Sequence, residues 1–101
     1  MQISDENLRG RTVIAADGQT IGDVAGLFFD TSTWTIVSLQ IKLSKTAAEQ
    51  LGATRSLLHA ATIWLPVRMV QSVGDTVLLS VPTPELRPTL PEADQHKGKV
   101  A

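Results

Sequence analysis

A chain of 101 residues with 43% hydrophobic content and a net charge of −1 is the size of one domain and can build a core. It lacks the basic excess that coating a nucleic acid requires, and the absence of cysteine excludes disulfides, thiolate metal sites and cysteine catalysis. The opening MQISDENLRG is polar and acidic, unlike a secretory leader, and no apolar run approaches the ~18 residues of a membrane helix, so a cytoplasmic location without membrane insertion is expected.

Residues 1–7 read as a flexible polar lead. Leu8 to Ala15 reads as a first strand, with TVIA its β-rich part. Asp17-Gly18 predicts a two-residue type I′ hairpin turn, because both residues tolerate positive φ. A second strand runs from Gln19 to Phe29. Ile21 and Val24 stand three apart, so in a regular strand they face opposite sides. A bulge at Gly22 would bring both to one face and bend the strand.

Asp30 to Thr33 predicts the next turn. In TIVSLQIKL, Val37, Leu39, Ile41 and Leu43 alternate with Ser38, Gln40 and Lys42, the pattern of a half-buried antiparallel strand. A helical insert is predicted near 45–61. Thr46 and Glu49 have capping-box spacing. Gly52 either ends that helix or is tolerated at about 1 kcal/mol, giving two helices or one.

From Thr62 the chain is β again: TIWLPV, a tight connection at Arg68-Met69, VQSV, a turn at Gly74-Asp75, and TVLLSV. Pro66 has no N–H to donate, which places it at a sheet edge or strand end. Four of the five prolines (Pro82, Pro84, Pro88, Pro91) follow Val81, so 82–101 reads as an extended, partly disordered tail. The expected fold is mainly β: a small antiparallel barrel of five or six strands over residues 8–81, with a short helical insert.

Candidate chemistry reduces to structural roles. Asp17, Asp23, Asp30 and Asp75 are six or more residues apart, too sparse for a calcium loop, and suit turns. Gly18, Gly22 and Gly26 match no phosphate-loop spacing and precede a strand. His59 and His96, the two histidines, stand beside no nucleophile elbow or metal-ligand pair. Arg9, Arg11, Lys42, Lys45, Arg55 and Arg68 read as a scattered solvated rim. No catalytic, cofactor-binding or metal-binding residue is assigned. Strand parity sets Trp34 against Val37, Leu39 and Ile41, and sets Trp64 and Pro66 against Ile63 and Leu65. Both indoles are therefore expected on the outside, covered by the insert or by another subunit. With Pro66 they are the candidate interface residues.

The stretch LRGRTVIAADGQTIGDVAGLFFD resembles the opening of the PRC-barrel family, named for the photosynthetic reaction centre. Gly10, Asp17, Gly18, Ile21, Gly22, Val24 and Asp30 fill the family's pattern, and IWLPVRMVQSVGDTVLL resembles its second half. The resemblance covers residues 8–81 and leaves the insert and the tail outside. It implies a β-barrel used as an interaction module, as in the cytoplasmic subunit of purple bacterial reaction centres, a ribosome-maturation factor and small stand-alone proteins. The chain has neither the membrane helix of the first nor the extra N-terminal domain of the second, and resembles a stand-alone member. Gly10, Asp17, Gly18, Gly22 and Asp30 then serve turns and the bulge. The expected function is a non-enzymatic, self-associating interaction module, with a second copy or another protein as partner. A ribosome or RNA-processing accessory role is the alternative, against which the net charge of −1 counts.

Overall fold

The computed structural model describes residues 2–52 and 61–89. Its first element is a helical turn, α1 (Asp5–Leu8). Ser4 caps it, its hydroxyl accepting from the Asn7 N–H at 3.1 Å, and Asp5 and Glu6 sit at its positive end. Ile3 packs on the core and Leu8 is buried. This corrects two expectations: the polar lead is a capped turn, and the first strand begins at Thr12 rather than Leu8. Between them lies a type II turn. The Arg11 N–H donates to the Leu8 carbonyl at 3.2 Å, and Arg9 has φ −62°, ψ 138°. Gly10 takes the position that needs positive φ, at +85°.

Strands β1 (Thr12–Ile14) and β2 (Thr20–Asp30) form the first hairpin. Its loop is three residues long, not two. Ala15 N–H donates to Gln19 and Gly18 N–H to Ala15, both at 2.9 Å. Gly18 is left-handed at φ +87°, and among the described non-glycine residues only Trp34 has positive φ. The expected type I′ turn is therefore replaced by a tighter bend at Ala16-Asp17 closed by a left-handed glycine, the other common hairpin solution. The bulge forms where the broken parity of β2 requires it. Val13 pairs with Gly22 and Ile14 with Thr20, leaving Ile21 as the extra residue. Ile21 and Val24 are both buried as a result. A further extra residue, Ala25, separates Val24↔Ile41 from Gly26↔Gln40 on the other side of β2.

Strand β3 (Thr35–Leu43) completes the long hairpin. Helix α2 (Lys45–Gln50) follows, capped by Ser44, whose hydroxyl accepts from the Ala47 N–H at 3.1 Å. The capping box expected at Thr46 is thus displaced by two residues. Ser44 leaves β3 extended, at φ −66° and ψ 160°, as a cap must, whereas Thr46 is already helical. Gly52 ends the helix at φ +70°, with its N–H on the Glu49 carbonyl. The rest of the insert, with Arg55 and His59, lies outside the described residues, as does His96.

Strand β4 (Thr62–Pro66) pairs with β3, and a 3-10 turn (Val67–Met69) leads to β5 (Val70–Val73) and β6 (Val77–Leu79). The strand order is β4-β3-β2-β1-β6-β5. Its two ends, β4 and β5, are joined by three residues. Three residues span about 10 Å at most, so the sheet must roll until its ends come near each other. That is barrel geometry reached through the connection. Four ladders are antiparallel, in keeping with the small antiparallel barrel expected, and β1 and β6 form the one parallel ladder among the described residues. The direction of β6 is set by its hairpin with β5, which approaches β1 from the far end of the roll.

Val13, Ile21, Ile41, Ile63, Leu65, Val77 and Leu79 fill the interior, with Leu51 closing one side from the end of α2. Each such side chain contributes roughly 1.5–3 kcal/mol on burial. From Thr83 to Thr89 the chain is not extended as expected, and residues 90–101 of the expected tail lie outside the described residues. A second 3-10 segment (Thr83–Thr89) packs against β4, with Thr83 and Leu86 buried. The domain therefore runs past residue 81. The prolines that disfavour a strand here are compatible with a 3-10 coil.

Candidate interaction surface

Ile63 and Leu65 point inward with no exposure, so Trp64 and Pro66 occupy the outer face of β4, as their parity requires. Pro66 ends the strand at one end of the sheet order and lies opposite Ser38. Trp64 lies opposite Gln40, which lies opposite Gly26; Phe28 lies opposite Ser38. The Phe28 ring reaches diagonally across β3 and stacks on Trp64, centroids 4.0 Å apart and planes 17° from parallel. Glycine at 26 and serine at 38 leave the space over β3 open for that contact. The indole is half-buried, and a ring of its own outer face provides cover that neither expected source, the insert or another subunit, had included.

Trp34 is placed differently. It sits in the β2–β3 turn, not on a strand, at φ +58° and 77% exposed. Its N–H donates to the Asp30 carbonyl at 2.7 Å, closing a four-residue loop. Asp30 shapes that loop: one carboxylate oxygen accepts from the Ser32 hydroxyl at 2.6 Å and the Ser32 N–H at 2.9 Å. Those bonds, the hydroxyl's first, hold the Asp30 carboxyl below its ordinary value. A non-glycine residue in this conformation costs on the order of 1 kcal/mol.

Around Trp34 the sequence reading missed three companions. Phe29, Ile36 and Val37 are exposed, and Phe29 pairs with Ile36 at the end of the ladder. Val37 continues the alternation in the sequence, yet in the structure it is the extra residue of a bulge between Phe28↔Ser38 and Phe29↔Ile36, and the buried run of β3 begins only at Leu39. The exposed Val67 and Leu78 are the other large apolar side chains open to solvent among the described residues.

Asp17 has a role beyond its turn. Its carboxylate accepts from the Thr83 N–H at 3.1 Å, the Thr83 hydroxyl at 3.0 Å and the Gln19 N–H at 3.3 Å. The Thr83 N–H bond chiefly holds its pKa down, opposed by desolvation, the next largest effect, and helped by the Gln19 N–H and the Thr83 hydroxyl. Asp17 thus ties the first hairpin to the segment that carries Leu86. Two members of the basic set are also tied down. Arg9 pairs with Asp5 at 3.1 Å, and Arg11 donates to the carbonyls of Asn7 and Gly74. Among the described residues no three His, Cys, Asp or Glu side chains gather as a metal site, and no helix is long and apolar enough to cross a membrane.

A six-stranded sheet rolled by its own connection, with one overlong hairpin, defines a small β-barrel domain. The PRC-barrel domain family model matches residues 1–86, and the chain belongs to that family. The match ends at Leu86, the last buried core residue described. No curated protein matches the chain. PRC-barrel domains are in general protein-interaction modules.

Proposed function

We propose that the chain is a non-catalytic protein-interaction module of the cytoplasm that acts by self-association. The observation that carries this is the β2–β3 hairpin end, where Phe29, Trp34, Ile36 and Val37 are all exposed. An apolar cluster of this kind on a small domain marks a contact surface. The left-handed Trp34 strengthens the reading. Glycine or asparagine would fill that backbone position with less strain, and no burial compensates the indole for it. Trp64, Pro66 and Phe28 form a second apolar patch, on the outer face across β4, β3 and β2, opposite the face that carries Phe29 and Ile36.

Sedimentation equilibrium tests the proposal. A dimer in the micromolar range, formed without nucleic acid, is the expected result. A monomer at several hundred micromolar would remove self-association from the reading. Salt-sensitive retention on RNA would favour an RNA-directed role instead.

A further inference from the structure

We propose that two copies of the chain pair edge to edge along the outer part of β3, with Trp34 of each as the anchor, and so join their sheets. The inference rests on the self-association proposed above and names its surface and its bonding.

Three observations converge on this hairpin. The first is an open strand edge. Pairing of β1 with β2 ends at Thr12↔Asp23, and pairing of β4 with β3 ends at Ser38↔Pro66. Leu27 and Phe28 pair with Leu39 and Ser38; beyond them Phe29 and Asp30 pair with Ile36 and Thr35 and have no further strand partner among the described residues, while Val37 is the extra residue of a bulge in β3. On the β4 side the ladder stops at Ser38↔Pro66, and the chain continues beside β3 as the 3-10 turn Val67–Met69. A two-stranded ribbon is marginal in water by itself, and an open edge is a template for another strand.

The second is apolar area. Taking the ~150–250 Å² of a large aromatic as the scale, Phe29, Trp34, Ile36 and Val37 expose on the order of 400 Å². A standard interface takes ~800 Å² from each partner. The exposed Thr31, Ser32, Thr33 and Thr35 lie along the same ribbon and can supply the remainder.

The third is charge. From Ala25 to Gln40 the only charged residue is Asp30, whose carboxylate is already engaged by Ser32. A strongly charged partner gains nothing here, whereas a second copy presents the same neutral, apolar ribbon. A two-fold pairing of identical edges is self-complementary. A bilayer would suit the indole but would leave the free N–H and C=O groups of the edge unsatisfied.

The test uses the full chain, Trp34→Gly and Val37→Lys, each checked for folding by circular dichroism. Trp34→Gly removes the anchor and relaxes the backbone, so its urea midpoint stays level or rises while dimer dissociation strengthens at least about 30-fold, the scale of an aromatic hot spot. Val37→Lys puts a charge on the edge and has the same effect on the dimer; it decides the matter if Trp34→Gly fails to fold. Amide exchange over Thr35–Val37 slows as protein concentration rises. A native dimer that both folded variants match in affinity overturns the edge while leaving self-association standing. A native monomer at several hundred micromolar overturns both. A monomer that co-sediments with phosphatidylcholine vesicles through Trp34 overturns both in favour of a lipid surface.

Discussion

Replacing Gly22 by alanine should be among the most damaging single-methyl changes in this chain. A Cβ at Gly22 would lie 2.0 Å from the Lys42 carbonyl oxygen and 2.9 Å from its carbon. Those are backbone atoms of β3, a strand hydrogen-bonded on both sides, so they cannot swing away as a side-chain tip would. Gly22 also has φ +156°, which L side chains rarely adopt. Overpacking of this kind costs about 1–3 kcal/mol and backbone strain about as much. Together they give roughly 2–6 kcal/mol against a domain stability of about 5–15 kcal/mol. Gly18 provides the internal comparison. Its φ is +87°, but nothing lies within 4 Å of the added carbon. Gly18→Ala should therefore lose only the conformational component, about 1 kcal/mol. Urea unfolding followed by tryptophan fluorescence measures both, since Trp64 reports on the barrel through its stack with Phe28. On the thermal scale the difference is at least about 4 °C. Equal losses for the two variants would refute the close-approach argument, because only Gly22 has a neighbour to collide with.

Leu86→Ala should destabilise the fold by about 2–5 kcal/mol, as for a fully buried leucine; a thermal midpoint unchanged within a degree would remove the second 3-10 segment from the core. A chain cut after Val81 should lose at least as much as Leu86→Ala, whereas one cut after Thr89 should keep the parent midpoint, both read by thermal denaturation. Asp17 has a folded pKa below its ordinary 3.8, so its contribution is complete above the unfolded value and lost as pH falls through the folded one. Urea midpoints at about pH 6 and about pH 3 should therefore converge for the native chain and Asp17→Asn on acidification; a constant gap would deny the Thr83 bonds their ionic character. Ser44→Ala should cost about 1 kcal/mol through the lost cap, while Thr46→Ala, inside the helix, should be near neutral in the same urea assay.

Legibility followed the range of each interaction. The alternation from Val37 to Leu43 placed β3 because side-chain period is a local property. The clash of parity between Ile21 and Val24 located the bulge for the same reason. Ser4-Asp5-Glu6 is a local signal too, and it would have placed α1 had the polar lead been read for caps rather than for hydrophobicity. Other features depend on partners far along the chain. Thr83 is 66 residues from Asp17, so a carboxylate that serves a turn gave no sign of its second bond. Leu86 stands among prolines, and composition there spoke louder than one apolar side chain. The Phe28–Trp64 stack needs three strands in register, with Ser38 on the middle one leaving room for the diagonal contact. The exposed end of the hairpin was hidden because Val37 keeps the alternation in the sequence although the buried run of β3 begins only at Leu39.

That mismatch between pattern and interior is where structure and function meet. Strands β2 and β3 have 11 and 9 residues, while their outer neighbours β1 and β4 have 3 and 5. A barrel core needs only the shared length, and the buried residues of β3 begin at Leu39 accordingly. Surplus strand would ordinarily be polar, or broken by a charge or proline, to stop edges from pairing. Here it carries Phe29, Ile36 and Val37 and ends in a left-handed tryptophan. Trp34 buries little within the chain, Phe29, Ile36 and Val37 leave 37–49% of their surface open, and the turn would be less strained without the indole. On the self-association proposed above, those side chains specify the contact between copies, and the barrel's part is to hold that hairpin at its base through the bulge at Ile21 and the ladder from β3 to β4.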